Sequence, residues 1–391
     1  MSDKPKQGRL LALDILRGIT VAGMIMVNNP GSWGHIYAPL AHAQWHGLTP
    51  TDLVFPFFMF IMGVSTYMSL RRYDFRMSRA AALKILRRTA VIFLIGLAIA
   101  WLSLTLRRLA AGGGIVEAAV NFDHIRMLGV MPRLALCYGA GSLLALSMGR
   151  RALARTVAGI LVAYAAVLLL GHGLEFSERN IIAAADRAVL GENHMYSDTV
   201  GGVTLHFDPE GLLSTIPSVA HMLIGFLCGS MLMAVADNRE RICRLFIVGT
   251  VLTFSGLLLA YGIPVNKKIW SPTFVLTTCG MAASLLGLLI WIIDIRGHRR
   301  WCRFFEAFGV NPLFMYCLGA VLTILMGFIR VPYAAAEAGS ISLKGWIYRA
   351  VCMPMAGDDA TLASLLFALA FVAFNWVFGY ILYKKKIYIK I

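Results

Sequence analysis

The sequence predicts an all-α polytopic membrane protein with about ten transmembrane helices and both termini in the cytoplasm. Of its 391 residues, 59% are hydrophobic and only 14% are charged, whereas soluble domains are nearer half apolar and a quarter charged. Apolar runs of bilayer length recur along the whole chain, and the segments between them alternate between basic and non-basic. No connecting segment is long and polar enough to form a soluble domain, so residues 1–391 are expected to form a single transmembrane domain.

Each predicted span is an apolar run of roughly 20 residues, the length that crosses a bilayer as a helix. The ten runs begin near Leu10, Leu53, Thr89, Leu128, Leu153, Leu213, Leu245, Thr273, Phe304 and Leu362. The first contains two charged residues, which suits a retained helix better than a cleavable signal. Residues 340–355 are expected to form a re-entrant or surface helix.

The chain has 36 basic and 20 acidic side chains, a net charge of +16. In a soluble protein this excess would suggest nucleic acid, but cytoplasmic loops of membrane proteins collect Lys and Arg, so we expect no nucleic-acid partner. Placing the basic segments inside puts residues 28–58 and the acid-rich segment 171–210 outside. Two basic pairs, Arg107–Arg108 and Lys267–Lys268, fall on this outer side as exceptions.

Residues 28–58 concentrate the groups that suit catalysis. His42 is flanked by small residues in L-A-H-A-Q-W, which leaves its ring sterically free. An imidazole titrates near pH 6.5 and can take a proton from a nucleophile at neutral pH. Asn28 ends the first span at the same face, where its amide can donate to an oxygen that gains charge. These two residues are the candidates for a general base and an oxyanion donor.

Asp52 follows His42 at the expected start of the second span. It suits either a helix cap or a partner that orients the imidazole, and the sequence leaves both open. A metal site is the rival interpretation, because His42 and His46 have helical i, i+4 spacing. However, Pro39 and the absence of an accompanying Glu argue against a zinc-binding helix, so no metal is expected.

Polar residues within the apolar runs each need a reason, because a charge there is costly unless it is paired or wet. Asp14 and Arg17 are three residues apart and can pair on one helix face. That pair is either purely structural or also offers Arg17 to an anionic ligand. Arg133 lies in the fourth run, and Asn311 precedes a proline at the start of the ninth. For both, a packing role and a place on a cavity wall remain open.

Several motifs resemble the heparan-alpha-glucosaminide N-acetyltransferase family, which includes a lysosomal enzyme and bacterial NagX-like members. R-L-L-A-L-D-I-L-R-G is followed by H-A-Q-W-H-G-L-T-P-T-D-L-V-F-P-F-F. The similarity continues through I-R-M-L-G-V-M-P-R-L-A-L-C-Y, L-S-T-I-P-S, P-V-N-K-K-I-W-S and F-G-V-N-P-L-F-M-Y, in order along nearly the whole chain. The chain is expected to start at the span carrying D-I-L-R-G, without the N-terminal luminal domain of the lysosomal form.

The resemblance implies a membrane acetyltransferase that uses cytosolic acetyl-CoA to acetylate the amine of a terminal glucosamine on the far side. The family's active histidine falls on His42, its partner asparagine on Asn28, and the aspartate before L-V-F-P on Asp52. The Asp and Arg of D-x-x-R-G fall on Asp14 and Arg17. We expect Arg17, Asp14, Arg133 and Asn311 to contribute to acetyl-CoA binding, and the acids of residues 171–210 to favour an ammonium-bearing acceptor.

Other functions remain open at this point. L-D-x-x-R-G also occurs in membrane O-acetyltransferases of envelope polysaccharide, and an amino-sugar transporter would also be a polytopic membrane protein. The transfer itself has two possible routes: direct attack of the amine on the thioester, or prior acetylation of His42.

The expected partners are an amino sugar, membrane lipid and, as the fold permits, a second copy in a homodimer. The expected location is a bacterial inner membrane.

Overall fold

The structure, a computed structural model, describes residues 10–335 and 339–389. Its helices in these ranges are α1 (Leu11–Val27), α2 (Val54–Leu70), α3 (Arg79–Ala110), α4 (Ile115–Val120), α5 (Val130–Ser147), α6 (Arg150–Leu170), α7 (Ile181–Leu190), α8 (Thr215–Met233), α9 (Asn238–Leu259), α10 (Pro272–Leu289), α11 (Cys302–Gly309), α12 (Pro312–Phe328), α13 (Leu343–Trp346), α14 (Met353–Met355) and α15 (Ala360–Lys384). Short 3₁₀ turns cover Ala38–Leu40, Pro50–Leu53, Arg71–Tyr73 and Glu192–His194, and π-helical turns cover Ile290–Ile295 and Ile347–Cys352. Two antiparallel hairpins complete the fold: β1 (Ser197–Val200) with β2 (Val203–His206), and β3 (Arg330–Pro332) with β4 (Ser340–Ser342).

The predicted all-α polytopic class is confirmed. Among the described residues, eight helices are long and apolar enough to cross a membrane, and α11 with α12 makes a ninth if that pair, bent by 83°, counts as one span. The 17-residue α1 is also apolar and is about 26 Å long at 1.5 Å per residue, slightly under the thickness of a bilayer core. Each of the ten predicted runs therefore contains a helix. The cytoplasmic location of both termini stays a prediction.

The third helix begins earlier than predicted, at Arg79 rather than near Thr89. The basic segment before Thr89 is rich in Ala, Leu, Lys and Arg, which all favour helix. Ser78 caps it, because its hydroxyl oxygen accepts from the Ala81 backbone N–H at 3.2 Å. The apolar run marks where the bilayer starts, whereas the helix continues into the basic region that precedes it.

The acid-rich segment 171–210 is more ordered than a simple connection. It contains α7 and the β1–β2 hairpin, and it packs through an apolar cluster against the end of α6 and the loop before α10. The buried members of this cluster are Tyr164, Leu168, Ile182, Ala183, Phe207 and Ile269. Of residues 340–355, predicted as a re-entrant or surface helix, the first three form β4 and residues 343–355 form a helical run from α13 to α14, which at 1.5 Å per residue is too short to cross a bilayer.

Helices α2 and α8 pack through glycines. A Cβ built on Gly63 would lie 2.0 Å from the Met222 carbonyl oxygen, and one on Gly225 would lie 2.2 Å from the Phe60 carbonyl oxygen. Small residues let helix backbones approach this closely in membranes, where close packing drives helix association. The contact fixes α2, whose first turn follows Asp52.

We expect Gly63→Ala to destabilise the folded protein by about 1–3 kcal/mol, the usual effect of overpacking. The added methyl would meet backbone, which cannot rotate away. Thermal unfolding of the protein in detergent measures this effect. Gly159→Ala in α6 is the matched control, since nothing lies within 4 Å of its Cβ position. Equal melting temperatures for the two variants would contradict the proposed close contact.

Candidate active site

A cavity of about 670 Å³ lies where α1 ends and α2 begins. It brings together Asn28, His42 and Asp52, the three residues that the sequence analysis assigned to catalysis. Its remaining walls come from α3, the connection between α4 and α5, the β1–β2 region, the loop before α10, and α12. Side chains from these walls include Arg126, Tyr196, Asp198, Glu210, Lys267, Lys268, Tyr316 and Thr323.

His42 and Asp52 form a close pair. His42 Nδ1 lies 2.6 Å from Asp52 Oδ1, and the aspartate side chain is only 1% exposed whereas that of His42 is 38% exposed. Because an ionised carboxylate only accepts hydrogen bonds, Nδ1 carries the proton and donates it to Asp52. The other ring nitrogen, Nε2, makes no hydrogen bond to a described residue. In the neutral imidazole it holds a free lone pair next to the cavity.

The second carboxylate oxygen of Asp52 caps the start of the second span. Oδ2 accepts from the backbone N–H of Ala43 at 3.1 Å and of Thr49 at 3.2 Å, and from the Thr49 hydroxyl at 3.0 Å. With Thr49 it forms a capping box on the turn Pro50–Leu53. The structure therefore contains both contacts that the sequence left open for Asp52: one oxygen caps, and the other contacts His42.

The loop carrying His42 is anchored at two points that follow the histidine in the chain. The Trp45 indole N–H donates to the Leu174 carbonyl at 2.8 Å, and its ring packs edge-on against Phe176 and Phe207. The backbone N–H of Gly47 donates to the Val265 carbonyl at 2.8 Å. Order in segment 171–210 and in the loop before α10 therefore determines where the imidazole lies.

His46 does not join His42 in a metal site. Its Nδ1 lies 3.4 Å from the Asn266 side-chain amide. Burial lowers the pKa of His46, although a hydrogen bond with the Leu174 backbone opposes the shift. Within residues 10–335 and 339–389, no group of three or more His, Cys, Asp or Glu side chains is arranged to hold a metal ion.

Asn28 lies at the C-terminal cap of α1 with its side chain exposed in the cavity. Its side-chain amide makes no hydrogen bond to a described residue, so both N–H groups can reach a ligand. The neighbouring Asn29 differs: it is 5% exposed, donates to the Ile25 carbonyl at 2.7 Å and accepts from the Thr323 hydroxyl. Of the two asparagines, Asn28 is the one whose exposed amide faces the cavity.

Lys267 is the charged neighbour of the His42–Asp52 pair that the sequence analysis missed. Its Nζ lies 3.1 Å from His42 Nδ1 and 3.4 Å from Asp52 Oδ1, on a side chain 17% exposed. Burial lowers the pKa of Lys267, while Asp52 and Glu210 oppose the shift. The sequence did contain a sign of this residue: Lys267 belongs to a basic pair within P-V-N-K-K-I-W-S. The sequence analysis treated that pair only as an exception to the enrichment of basic residues in cytoplasmic loops.

The acids of segment 171–210 that reach the cavity are each paired with a cation. Asp198 lies 2.5 Å from Lys268, and Arg126 binds Asp208 at 2.5 Å and Glu210 at 2.6 Å. The charged lining comprises four basic side chains, Arg107, Arg126, Lys267 and Lys268, and three acidic ones, Asp52, Asp198 and Glu210. The described lining thus has no excess negative charge, which corrects the expectation that free acids of this segment attract an ammonium group.

Asp14 and Arg17 form the predicted pair, with 3.0 Å between Arg17 Nη1 and Asp14 Oδ1. Arg17 also donates to the Ser65 hydroxyl at 2.7 Å and to the Gly309 carbonyl at 3.3 Å. Both residues line two smaller cavities, about 330 and 280 Å³, at the opposite end of α1 from Asn28. Among the described residues, none lines both these cavities and the His42 cavity. Between them, α1 and α11 touch backbone to backbone at Gly18 and Gly309.

Arg133 and Asn311 lie outside all of these cavities. Arg133 is fully buried, donates to the Gly211 carbonyl at 3.0 Å and the Ser214 hydroxyl, and stacks on Trp270. Asn311 occupies the bend between α11 and α12 and is 2% exposed. Its amide donates to the Ile387 carbonyl and accepts from the Ile389 N–H, both at 2.8 Å. In this structure both side chains are used for packing, and a ligand has no access to them.

The chain is similar in sequence to proteins of one known family. The family model for heparan-alpha-glucosaminide N-acetyltransferase, catalytic, matches residues 9–263. The human heparan-alpha-glucosaminide N-acetyltransferase is 28% identical over 364 residues, which cover 79% of this chain and 52% of the human protein. The mouse protein of the same name is 27% identical over 361 residues, covering 79% and 53% respectively. The chain thus spans about half the length of the curated relatives it matches. Because the family model matches more than half of the chain, this integral membrane protein belongs to the heparan-alpha-glucosaminide N-acetyltransferase family.

Proposed function

We propose that this protein transfers an acetyl group from acetyl-CoA to the amine of a terminal glucosamine or a related amino sugar. The observation that most supports this proposal is the 2.6 Å contact between His42 Nδ1 and Asp52 Oδ1. This contact leaves Nε2 of His42 free beside a cavity of about 670 Å³. Relatives named as N-acetyltransferases of a glucosaminide support the same reaction class. The cavity has room for a ligand of ordinary small-molecule size.

In the proposed reaction, the acceptor nitrogen attacks the thioester carbonyl and His42 Nε2 takes a proton from it. The new C–N bond forms a tetrahedral intermediate, whose oxyanion is stabilised by the Asn28 side-chain N–H. The C–S bond then breaks, and the CoA thiolate leaves with the proton that His42 returns to it. Asp52 holds the imidazole in the required tautomer through Oδ1 and stabilises the imidazolium that forms.

A covalent route uses the same residues. In that route His42 Nε2 attacks the thioester first, CoA leaves, and the acetyl-imidazole passes the acetyl group to the amine. Mixing stoichiometric protein and acetyl-CoA without acceptor separates the two routes. A burst of free CoA indicates an acetyl-His42 intermediate, whereas release of CoA only after acceptor is added indicates direct transfer.

The Asp14–Arg17 end of α1 is the proposed cytoplasmic face, where cationic groups favour the phosphates of acetyl-CoA. Arg17 presents its guanidinium to both cavities at that end. Passage of the acetyl-bearing arm from there to His42 requires α1 and α11 to separate at Gly18 and Gly309. The bend at Asn311 is a natural pivot for such a movement. This assignment puts both termini in the cytoplasm and His42 on the far side.

The direct test is acetylation of glucosamine by the purified protein in detergent with acetyl-CoA, followed by mass spectrometry. We expect N-acetylglucosamine as the product, with glucose as a matched acceptor that remains unmodified. Acetylation of glucose at a comparable rate would instead identify an O-acetyltransferase. Uptake of glucosamine by vesicles without acetyl-CoA, in the absence of any product, would identify a transporter.

We expect Asn28→Ala to lower kcat by about 10²–10³-fold, the usual loss for one oxyanion donor. Because the Asn28 amide has no hydrogen bond to a described residue, its removal leaves no partner unsatisfied and should not change the melting temperature. Steady-state kinetics with thermal unfolding measures both. An unchanged kcat would limit Asn28 to a capping role at the end of α1.

A further inference from the structure

The position of Lys267 is explained neither by topology nor by phosphate binding. It lies on the proposed outer side, where basic residues are under-represented, yet its ammonium contacts both members of the His42–Asp52 pair. We propose that Lys267 is a positioning residue whose positive charge keeps the His42 imidazole neutral until the acceptor is deprotonated. The kinetic part of this inference rests on the proposed function, whereas the effect on the imidazole itself does not.

The loop that carries Lys267 is held rigidly. Asn266 Oδ1 accepts from the backbone N–H groups of Lys268 at 2.8 Å and Ile269 at 3.2 Å, and the Ser271 hydroxyl accepts from the Asn266 N–H at 3.0 Å. Trp270 has a φ of +50°, unusual for a residue with a side chain, and is 1% exposed. Such backbone strain persists only where the surroundings enforce it, and it often occurs at functional sites. The ammonium is therefore presented from a preorganised support.

The local charges give Lys267 one consistent role. The Lys267 ammonium and the His42 Nδ1–H are both donors, and Asp52 Oδ1, 3.4 Å from the first nitrogen and 2.6 Å from the second, is their common acceptor. An imidazolium would be a like charge 3.1 Å from the ammonium, which disfavours the protonated ring. The other charged or titratable groups that line the same cavity are Arg107, Arg126, Tyr196, Asp198, Glu210, Lys268 and Tyr316, and His46 lies on the loop that carries His42.

The same placement helps the reaction to turn over. His42 must be unprotonated to take the amine proton, and it must then give that proton to the leaving thiolate. A fixed positive charge beside Nδ1 makes the imidazolium a better proton donor. Lys267 thus sets the pH range of the base through its charge.

The test compares the pH dependence of kcat/KM in Lys267→Met and Lys267→Arg with that of the wild type. We expect the acidic limb of Lys267→Met to move upward by about one pH unit, since removing the cation leaves Asp52 to stabilise the imidazolium alone. Lys267→Arg keeps the charge and should restore the limb toward its original position. Arg108→Gln is the matched control: it removes an outer cation that binds the Asp123 backbone carbonyl and does not line the cavity.

A second readout does not need activity. Diethyl pyrocarbonate reacts with an imidazole only when the ring is unprotonated. The rate of His42 carbethoxylation, measured by mass spectrometry at a series of pH values, therefore reports the protonation of His42 directly. We expect the same upward shift in Lys267→Met, and in Lys267→Gln if the Met variant does not fold. Superimposable wild-type and variant profiles would overturn the inference. If the wild type acetylates no amino sugar, the proposed function fails, and carbethoxylation still tests Lys267.

Discussion

His42→Ala is expected to reduce acetyl transfer to background, a loss of about 10²–10⁴-fold or more from removing the general base alone. The variant loses either the base or the nucleophile, so the prediction holds for both routes of transfer. The His42 side chain is 38% exposed in the cavity, so its removal leaves a larger cavity and not a collapsed core. Turnover of acetyl-CoA with glucosamine measures the loss, and detergent-solubilised protein should keep its melting temperature.

His35→Ala is the matched control for this prediction. His35 belongs to the same segment but borders a separate small cavity with Tyr37, Leu40 and Ser364. It should retain wild-type turnover, because its ring takes no part in the His42–Asp52 pair. Retained turnover in His42→Ala would remove that residue from the mechanism. Equal losses in both variants would indicate that the segment acts through its fold and not through one imidazole.

Two kinds of information about this protein are local in sequence and were therefore predictable. Apolar runs report burial in lipid or protein, and each of the ten contains a helix. One segment, between the end of α1 and the start of α2, contains Asn28, His42 and Asp52. Because the segment is short, the three residues can meet in one cavity. The Asp14–Arg17 pair was also predictable, since three residues span one helical turn.

What the sequence could not provide is contact between distant segments. Lys267 lies 225 residues from His42 in the chain and reaches it through a loop that only the tertiary fold places there. Arg126 and its carboxylates meet over 82 and 84 residues. Polarity within an apolar run was also ambiguous: for Arg133 and Asn311 it could not separate a packed interior from a cavity wall, and the expected contact with acetyl-CoA was wrong for these buried side chains.

Asp52→Asn is expected to lower kcat by about 10³–10⁴-fold, because the amide should invert the tautomer of His42. Two backbone N–H groups, from Ala43 and Thr49, donate to the position of Oδ2. Only the amide oxygen can accept them, so the amide NH₂ must face His42 Nδ1. Nδ1 would then accept, Nε2 would carry the proton, and the cavity would contain no base. A comparable loss follows when the aspartate of a hydrolytic triad is replaced by asparagine. Steady-state kinetics over a range of pH measures it, and higher pH should not restore the rate.

Thr49→Ala separates this effect from helix capping. It removes the hydroxyl that donates to Asp52 Oδ2 at 3.0 Å and to the Ala41 carbonyl at 2.8 Å, but it leaves Oδ1 against His42. Loss of such a cap costs about 1 kcal/mol of stability, and kcat should change far less than in Asp52→Asn. If both variants lowered kcat equally while destabilising the protein equally, Asp52 would act only as a cap. A large loss confined to Asp52→Asn, with its melting temperature preserved, means that the carboxylate acts through the imidazole.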